Sequence, residues 1–467
     1  MLTYHLDSGA KIPLYEQLYR AVRQDIMSGA LKGGERLPSK RKLAAHLEIS
    51  QITVETAYSQ LLAEGYITSR PRSGYFVHGQ EQRAAAVPPP RKTAKQIAPV
   101  VKYPYDFKTN IVDTTCFPFT LWARLLRGQL TDRADHLLEA APPQGVMALR
   151  EEICRYLAEF RGISADPEQV VVGAGSEYLL NLMIQLLGRE NTYALENPGY
   201  PKLSRIFHAC GAGVAPVPLD LYGLRTDLLE QSGANAVYLT PSHHFPLGVV
   251  MPAARRLAVL QWAEEGQGRY IIEDDYDSEF RYSSRPIPAM KEMDHADRVI
   301  YLNTFAKSLA PSLRIGYMVL PYSLLEQFHH RCGFYASTVP SFEQYTLAKF
   351  LSTGGFERHV SRIRNLYKAR RDSLLSALAG SRLASFLSIS GAEAGLHILL
   401  TVKNGMDETT LIQTAAEYGV RVYGLSDYYI AGQGACPPST VILGYAGIQS
   451  ANFANAAACL EQAWCVK

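Results

Sequence analysis

Apolar and polar positions divide the chain into three zones. Residues 1–78 hold short segments in which apolar side chains recur at helical spacing. Residues 79–104 contain three successive prolines and little that could be buried, so they predict an extended interdomain linker. From residue 105 to 467, β-rich apolar runs alternate with amphipathic helices. This predicts an α/β domain with a mainly parallel sheet, helices on both faces and a smaller C-terminal α/β subdomain from roughly residue 330 onward.

Serine residues predict the starts of two short helices in the first zone. Ser39 can cap a helix that ends near His46, and Ser50 can cap a second helix after the turn HLEIS. One face of the second helix is predicted to be buried and carries Val54, Ala57, Tyr58, Leu61 and Leu62. The side facing a DNA major groove would expose Gln51, Thr53, Glu55, Thr56 and Ser59.

A basic hairpin is predicted to follow. The runs YIT and YFV bracket SRPRSG, whose arginines could grip phosphates or enter a minor groove. Taken alone, this zone could also be a small helical interaction domain. However, LPSxR, TVxxAYxxLxAEGY and RxxSGYFV resemble the winged helix-turn-helix of GntR-type regulators, which implies DNA binding. The predicted DNA contacts are Ser39, Lys40, Arg41, Gln51, Thr53, Arg70 and Arg72. Gln51 stands where that family usually has arginine, which predicts weaker phosphate anchoring.

The third zone carries a lysine at which an aldehyde could bind. Lys307 follows the apolar run DRVIYLN, and its amine could form a Schiff base with an aldehyde cofactor. In IIEDDYDSEF an apolar strand ends in acids at the edge of a parallel sheet where ligands bind. Strand alternation places Asp274 and Tyr276 on one face, so we predict that Asp274 binds a pyridine nitrogen and Tyr276 the ring phenolate oxygen. A magnesium site built from the aspartates of DDYD is the alternative, but it leaves Lys307 without a role.

Further segments could hold a phosphate and a flat ring. In VVVGAGSEYLLNL a strand, a glycine pair and a helix start predict a phosphate cradle. Its candidate contacts are Gly175, Ser176 and Glu177. Thr304 and Arg314 could close the cradle from the other side, Arg314 through a bidentate ion pair. Tyr200, after the Pro-Gly turn of ENPGYPK, could stack on the ring, although a tyrosine that only fills a turn is the alternative.

In this order and spacing, these segments resemble the fold type I pyridoxal 5′-phosphate (PLP) enzymes, the aminotransferase group. The resemblance covers roughly residues 105–467 and implies a PLP cofactor. Two parts of the aminotransferase pattern are missing. TPSHHFPLG has Phe245 where an asparagine usually binds the ring oxygen, so Tyr276 or a neighbour such as His243 would make that contact. VILGYAG offers no arginine for a substrate α-carboxylate.

A GntR-like winged helix, a linker and an aminotransferase-like domain together resemble the MocR/GabR subgroup of transcriptional regulators. The resemblance implies a head-to-tail homodimer that binds double-stranded operator DNA. It also implies sensing of an amine, an amino acid or PLP through exchange at the aldimine of Lys307. The resemblance further implies that Lys202 holds the effector carboxylate. The GABA-responsive member has an arginine at this place, and a lysine offers a point charge instead of a bidentate fork, which disfavours GABA as the effector.

Two alternatives remain open from the sequence. One is an active PLP-dependent aminotransferase with an accessory winged helix, and the other is a regulator whose large domain is vestigial. For the regulator, we expect at most residual transamination. The net charge of +3 selects no partner by itself. The seven cysteines are scattered without CxxC spacing, which predicts reduced thiols and neither a disulfide frame nor a metal site. The sequence has no signal-like start and no apolar run long enough for a membrane span, so we expect a cytoplasmic protein.

Overall fold

The computed structural model describes residues 2–79, 102–131, 135–282, 287–430 and 436–465. The chain forms two compact units, Met1–Val100 and Val101–Lys467. Most of the predicted linker, residues 79–104, lies outside the described residues. None of the helices in the described ranges is long and apolar enough to cross a membrane.

The N-terminal unit consists of three helices followed by a hairpin. The helices and strands are α1 (Leu14–Ser28), α2 (Lys40–Leu47), α3 (Gln51–Ala63), β1 (Ile67–Arg70) and β2 (Gly74–Val77). The two strands pair antiparallel, with Ile67 opposite Val77 and Arg70 opposite Gly74. This is the predicted order of a helix-turn-helix with a wing.

The predicted serine caps are present at both helices of the helix-turn-helix. Ser39 Oγ accepts a hydrogen bond from the Lys42 N–H at 3.3 Å, and Ser50 Oγ accepts one from the Thr53 N–H at 3.1 Å. Between them, Glu48 adopts a left-handed conformation with φ of +54°. The caps satisfy N–H groups that have no acceptor within their own helix and so fix where α2 and α3 begin.

One residue predicted in the buried face of α3 lies at the surface. The side chains of Val54, Ala57, Tyr58 and Leu61 are fully buried, whereas Leu62 is 40% exposed. The prediction for Leu62 was therefore wrong. Successive helical residues are rotated by about 100°, so Leu62 is turned away from the stripe that Leu61 completes.

The C-terminal unit alternates strands and helices along the chain. Its described strands are β3 (Tyr105–Asp106), β4 (Val170–Gly173), β5 (Thr192–Asn197), β6 (Gly213–Asp220), β7 (Gly223–Leu224), β8 (Ala236–Leu239), β9 (Tyr270–Asp274), β10 (Val299–Thr304), β11 (Gly316–Val319), β12 (Leu387–Ser390), β13 (His397–Val402), β14 (Val420–Arg421), β15 (Tyr423–Gly424) and β16 (Thr440–Gly444). Its described α-helices are α4 (Phe119–Thr131), α5 (Met147–Arg161), α6 (Ser176–Leu187), α7 (Pro201–Ala209), α8 (Thr226–Gln231), α9 (Ala253–Glu265), α10 (Leu325–Cys332), α11 (Ser341–Ser352), α12 (Gly355–Ala379), α13 (Glu408–Glu417) and α14 (Phe453–Trp464).

Eight strands form the large sheet, in the order β4-β11-β10-β9-β8-β5-β6-β7. Neighbouring strands from β10 to β6 run parallel, whereas β11 is antiparallel to both of its neighbours. Ile300 and Leu302 pack with residues of α6 and α10, while Tyr301 packs on the opposite face with residues of α5 and α11. The predicted mainly parallel sheet with helices on both faces is confirmed, and the carboxyl ends of its parallel strands meet at one edge.

A smaller antiparallel sheet, in the order β12-β13-β16-β15, forms the second part of this unit. Its core includes Phe107 and Val112 as well as residues of α12, α13 and α14. By contrast, Leu347 and Phe350 of α11 belong to the same core cluster as α5. Phe356, at the start of α12, also belongs to that cluster, so α12 contributes to both cores.

Candidate functional site

A cavity of about 230 Å³ lies at the carboxyl edge of the large sheet. Four parallel strands contribute to its lining: Glu196 from β5, Tyr238 from β8, Asp274 from β9 and Thr304 from β10. The predicted site residues that line this cavity are Ser176, Glu177, Tyr200, Lys202, Asp274, Tyr276, Thr304, Lys307 and Arg314. The fold thus brings these predicted residues together although they are widely separated in the sequence.

Lys307 reaches the cavity from the turn that follows β10. Its Nζ donates a hydrogen bond to Asn110 Oδ1, and it lies 5.9 Å from the ring centroid of Tyr276. Burial lowers the pKa of the Lys307 amine to about 8, although the charges of Asp277 and Asp274 act in the opposite direction. At pH 7 about one amine in ten would then be neutral, and the neutral amine is the form that attacks an aldehyde.

Asp274 has one carboxylate oxygen engaged and one free. Its Oδ2 accepts a hydrogen bond from the Tyr238 hydroxyl, whereas its Oδ1 is buried without a partner among the described residues. Burial raises the pKa of Asp274 to about 7, and the hydrogen bond from Tyr238 partly opposes that shift. Tyr238 therefore orients a carboxylate whose second oxygen can accept a hydrogen bond from a protonated ring nitrogen.

The side of the cavity that lacks the usual asparagine is built from aromatic and histidine side chains. Phe245, only 6% exposed, lines the cavity at that place. The Tyr276 hydroxyl donates to the His243 carbonyl at 3.1 Å. His243 Nδ1 contacts Asp277 Oδ2 at 2.8 Å, and its buried Nε2 has no described partner. Tyr276 lines the cavity, and His243 lines a second, smaller one.

The segment predicted to form a phosphate cradle lies where β4 passes into α6. Gly175 precedes the helix with φ of +83°, and a side chain added there would place its Cβ 3.1 Å from Arg314 Cζ. The glycine therefore permits the guanidinium to approach the helix start. Arg314, itself left-handed with φ of +52°, donates to the Ala174 carbonyl at 3.2 Å. The N–H groups of the first turn, beginning at Ser176, have no acceptor within the helix and can bind an anion.

A chain of ion pairs runs along the same wall. Glu177 pairs with Arg314 at 3.5 Å and also with the ammonium of Lys202. Its hydrogen bond with Lys202 is the main reason that the pKa of Glu177 is lowered. Lys202, predicted to hold an effector carboxylate, thus has a carboxylate partner within the chain. Tyr200, 42% exposed, lies next to it and meets Phe245 edge to face.

The other acids of the EDDYD segment have separate partners. Glu273 accepts hydrogen bonds from the N–H groups of Met290 and Lys291 at 2.7 and 2.9 Å. Asp275 is buried and forms an ion pair with Arg161 at 2.8 Å. Within the described part of the chain, no group of three His, Cys, Asp or Glu residues could hold a metal ion.

The cavity lining also includes residues that were not predicted from the sequence, among them Asn110, Glu196 and Tyr238. Asn110, with φ of +62°, lies 197 positions before Lys307, so no local pattern links the two. Glu196 accepts hydrogen bonds from the N–H and hydroxyl of Thr240, and burial raises its pKa to about 7. Tyr238 lies on β8, and only the order of the strands places it beside Asp274.

The predicted DNA contacts differ in how free their side chains are. Arg41, Gln51, Arg70 and Arg72 are exposed. Lys40 forms an ion pair with Glu55 at 2.5 Å. Ser39 and Thr53 take part in the helix caps described above, Thr53 with a half-buried side chain.

Comparison with known sequences and structures agrees with this division of the chain. Residues 14–77 match the family "Bacterial regulatory proteins, gntR family", and residues 121–458 match "Aminotransferase class I and II". The crystal structure of Pyrococcus horikoshii kynurenine aminotransferase in complex with PMP is similar, with a TM-score of 0.68 and 25% identity. The similarity covers 78% of this chain and 91% of that chain.

Several regulators are similar over nearly their full length. The uncharacterised HTH-type transcriptional regulator YdeL of Bacillus subtilis is 40% identical, over 99% of both chains. The probable rhizopine catabolism regulatory protein MocR of Rhizobium meliloti is 35% identical, over 95% of this chain and 92% of that protein. The pyridoxine biosynthesis transcriptional regulator PdxR of Corynebacterium glutamicum is 32% identical, over 90% of this chain and 89% of that protein.

A winged helix-turn-helix followed by a fold type I aminotransferase-like domain defines a class of HTH-type transcriptional regulators. The chain belongs to the MocR/GabR subgroup of this class, as its sequence resemblance implied. Its function as a transcriptional regulator, in preference to an aminotransferase with an accessory winged helix, is thereby confirmed.

Proposed function

We propose that this regulator binds PLP in the cavity and senses an amine, an amino acid or PLP itself there. The observation that carries the proposal is the free, buried Oδ1 of Asp274 in a cavity that Lys307 also lines. A buried carboxylate oxygen without a partner is costly unless a ligand supplies a donor. A protonated pyridine nitrogen is such a donor, and an aldehyde on the same ring suits the amine of Lys307.

Each part of PLP has a candidate contact in the cavity. Lys307 would bond to the aldehyde, Asp274 would accept from the ring nitrogen, and Tyr276 would contact the ring oxygen. Tyr200 would cover the ring face. The phosphate would be held by Gly175, Ser176, Glu177, Thr304 and Arg314, with Glu177 contributing its backbone N–H. When bound, PLP supplies an aldehyde carbon for which the amine of Lys307 and the amine of an effector can compete.

An effector that is an amine or an amino acid would replace Lys307 at the aldehyde through its primary amine. Lys202 would hold its carboxylate, and in the structure that ammonium is paired with Glu177. An acidic effector would therefore have to compete with Glu177 for Lys202. PLP as the effector is supported by the similarity to PdxR, whose name refers to pyridoxine biosynthesis.

Operator DNA is the proposed partner of the N-terminal unit. Arg41, Gln51, Arg70 and Arg72 are exposed and free to contact it, whereas Lys40 would have to exchange Glu55 for a phosphate. Ser39 lies at the start of α2 and would present its backbone N–H to a phosphate, whereas Thr53, whose N–H is bound to Ser50, would offer its hydroxyl. Because its proposed partner is DNA, we place the protein in the cytoplasm.

A head-to-tail homodimer is proposed as the working assembly. Several large apolar side chains of the C-terminal unit are strongly exposed, among them Phe119 at 68%, Leu138 at 79%, Leu221 at 86% and Phe334 at 74%. Such side chains are more often found within interfaces than free in water. One chain has a mass of 51.7 kDa, and sedimentation of the holoprotein is expected to give twice that mass.

Residual transamination is a second candidate, favoured by the joint presence of Lys307 with a pKa of about 8 and Asp274. A lysine amine near neutrality can accept and return a proton beside a bound amine. Sustained turnover of an amino donor and a keto acid by the purified protein would support this activity. We propose sensing as the main role.

A gel-shift titration of the purified holoprotein tests the proposed function. The DNA is the region upstream of its own gene, with scrambled DNA at the same moderate salt as the control. We expect specific binding that changes when Lys307→Ala is introduced and does not change in Lys403→Ala, an exposed lysine of the small subdomain. Sequence-indifferent binding in all three proteins would contradict the proposal.

A further inference from the structure

The first turn of α3 carries an apolar side chain that the fold does not use. Ile52 is 75% exposed, although it is the second residue of the helix that a helix-turn-helix places in the major groove. A single exposed apolar residue is ordinary elsewhere on a protein surface. The N-terminal residues of a recognition helix reach base edges, so at this position Ile52 would meet the edge of a base.

The exposed side of α3 is divided into two rows of residues four apart. One row carries polar side chains, from Gln51 through Glu55 to Ser59. The neighbouring row begins with Ile52 and Thr56, which lie next to each other on the helix surface. The two rows offer different chemistry to the groove.

The row of Ile52 and Thr56 presents methyl groups. The hydroxyl of Thr56 donates to the Ile52 carbonyl at 3.0 Å, so its hydrogen is used within the helix. What Thr56 has left to offer is chiefly its γ-methyl group, beside the branched side chain of Ile52. In the other row, Glu55 is paired with Lys40 at 2.5 Å. The methyl row is thus the part of this surface with no polar donor free for a base edge.

In the major groove, thymine is distinguished by an apolar group, its 5-methyl. We propose that Ile52, assisted by the methyl group of Thr56, reads thymine methyl groups in each operator half-site. This inference rests on the proposed DNA binding and adds to it the identity of a base. The basic side chains of Arg41, Arg70 and Arg72 supply the phosphate contacts that would hold the methyl row in the groove.

The test uses DNA that the full-length holoprotein protects in a footprint. Each thymidine of the protected half-site is replaced in turn by deoxyuridine, which lacks only the 5-methyl group. We expect one or two replacements to weaken binding of the wild-type protein by about threefold to tenfold. Ile52→Ala is expected to bind the original DNA more weakly by a similar factor and to lose the discrimination at those same positions.

Two further variants sharpen the comparison. Ile52→Val keeps a branched apolar side chain and is expected to retain part of the discrimination. Leu62→Ala removes the other large exposed apolar side chain of α3, at its far end, and is expected to discriminate like the wild type. Because Ile52 is exposed, its replacement leaves the buried face of α3 intact.

The inference is overturned if deoxyuridine weakens DNA binding by the same factor in the wild type and in Ile52→Ala. It is also overturned if no replacement in the footprint weakens binding of the wild type. A wild-type protein that gives no footprint at all contradicts the proposed DNA-binding function, and this inference falls with it. The two kinds of failure are therefore distinguishable.

Discussion

At the scale of single residues, the reactivity of Lys307 is set by two opposing effects. Burial favours its neutral form and lowers its pKa, while the carboxylates of Asp277 and Asp274 favour the ammonium. Burial is the larger effect, and the resulting pKa is about 8. The amine therefore loses its proton at a lower pH than an ordinary lysine, whose pKa is near 10.5.

The first prediction concerns the rate at which PLP attaches to Lys307. Since only the neutral amine attacks the aldehyde, the rate should rise about tenfold per pH unit below pH 8 and level off above it. Stopped-flow recording of the Schiff-base absorption after PLP is added to apoprotein measures this profile. Lys307→Ala should give no such band. A rate that keeps rising toward pH 10 would show that burial does not shift this lysine.

Asn110 provides a matched variant for the same measurement. Its side-chain oxygen accepts the hydrogen bond from Lys307, so an aspartate there would add a negative charge next to the ammonium. Asn110→Asp should therefore raise the pKa of Lys307 and move the rate profile to higher pH. Asn110→Ala removes an acceptor and should not move the profile upward. Equal profiles in the wild type and Asn110→Asp would remove Asn110 from the site.

At the scale of elements, local signals predicted more than distant contacts did. Ser39 and Ser50 correctly predicted the starts of α2 and α3, because a helix cap is a hydrogen bond between residues three positions apart. The apolar runs before Asp274 and Lys307 likewise predicted β9 and β10. These signals are carried by a few neighbouring residues, so a single sequence is enough to read them.

The contacts that could not be predicted depend on the order of strands in the sheet and on how distant parts of the chain fold together. The partnership of Tyr238 with Asp274 requires β8 to lie beside β9, and that of Asn110 with Lys307 requires the start of the unit to fold back onto the cavity. Leu62 was misplaced for a different reason. Its apolar character suggested burial, but no part of the described N-terminal unit covers the end of α3 enough to bury it.

The second prediction tests the cap of α3. Ser50→Ala removes the acceptor for the Thr53 N–H and should cost about 1 kcal/mol of local stability. Hydrogen exchange of α3 amides in the full-length protein without DNA should then be about fivefold faster. Ser50→Asp keeps a capping oxygen and should restore protection. Ser59→Ala, an exposed serine within the same helix, should not lose protection, since alanine favours a helix interior.

At the scale of the whole molecule, the chain joins a DNA-binding unit to a unit with an amine-reactive lysine. An amine can influence DNA binding only if it binds differently to the DNA-bound and DNA-free protein. That requirement applies whichever way the two units are arranged. It also gives the proposed amine sensing a quantitative consequence that an accessory winged helix does not share.

The third prediction is that the coupling is reciprocal. If a saturating amine changes the affinity for operator DNA by some factor, the operator must change the affinity for that amine by the same factor. Fluorescence anisotropy of labelled operator gives the first factor, and titration of the Schiff-base absorption with and without operator gives the second. Scrambled DNA and Lys307→Ala should each reduce the factor to one.

Unequal factors would be informative because reciprocity holds for binding equilibria and not for reaction rates. An amine that is consumed during the titration never reaches equilibrium, so its apparent affinity would include turnover. A mismatch that grows when a keto acid is added, which allows repeated turnover of the amine, would therefore point to transamination at Lys307. Equal factors that differ from one would instead establish that this chain uses its aminotransferase fold to convert amine binding into a change in DNA affinity.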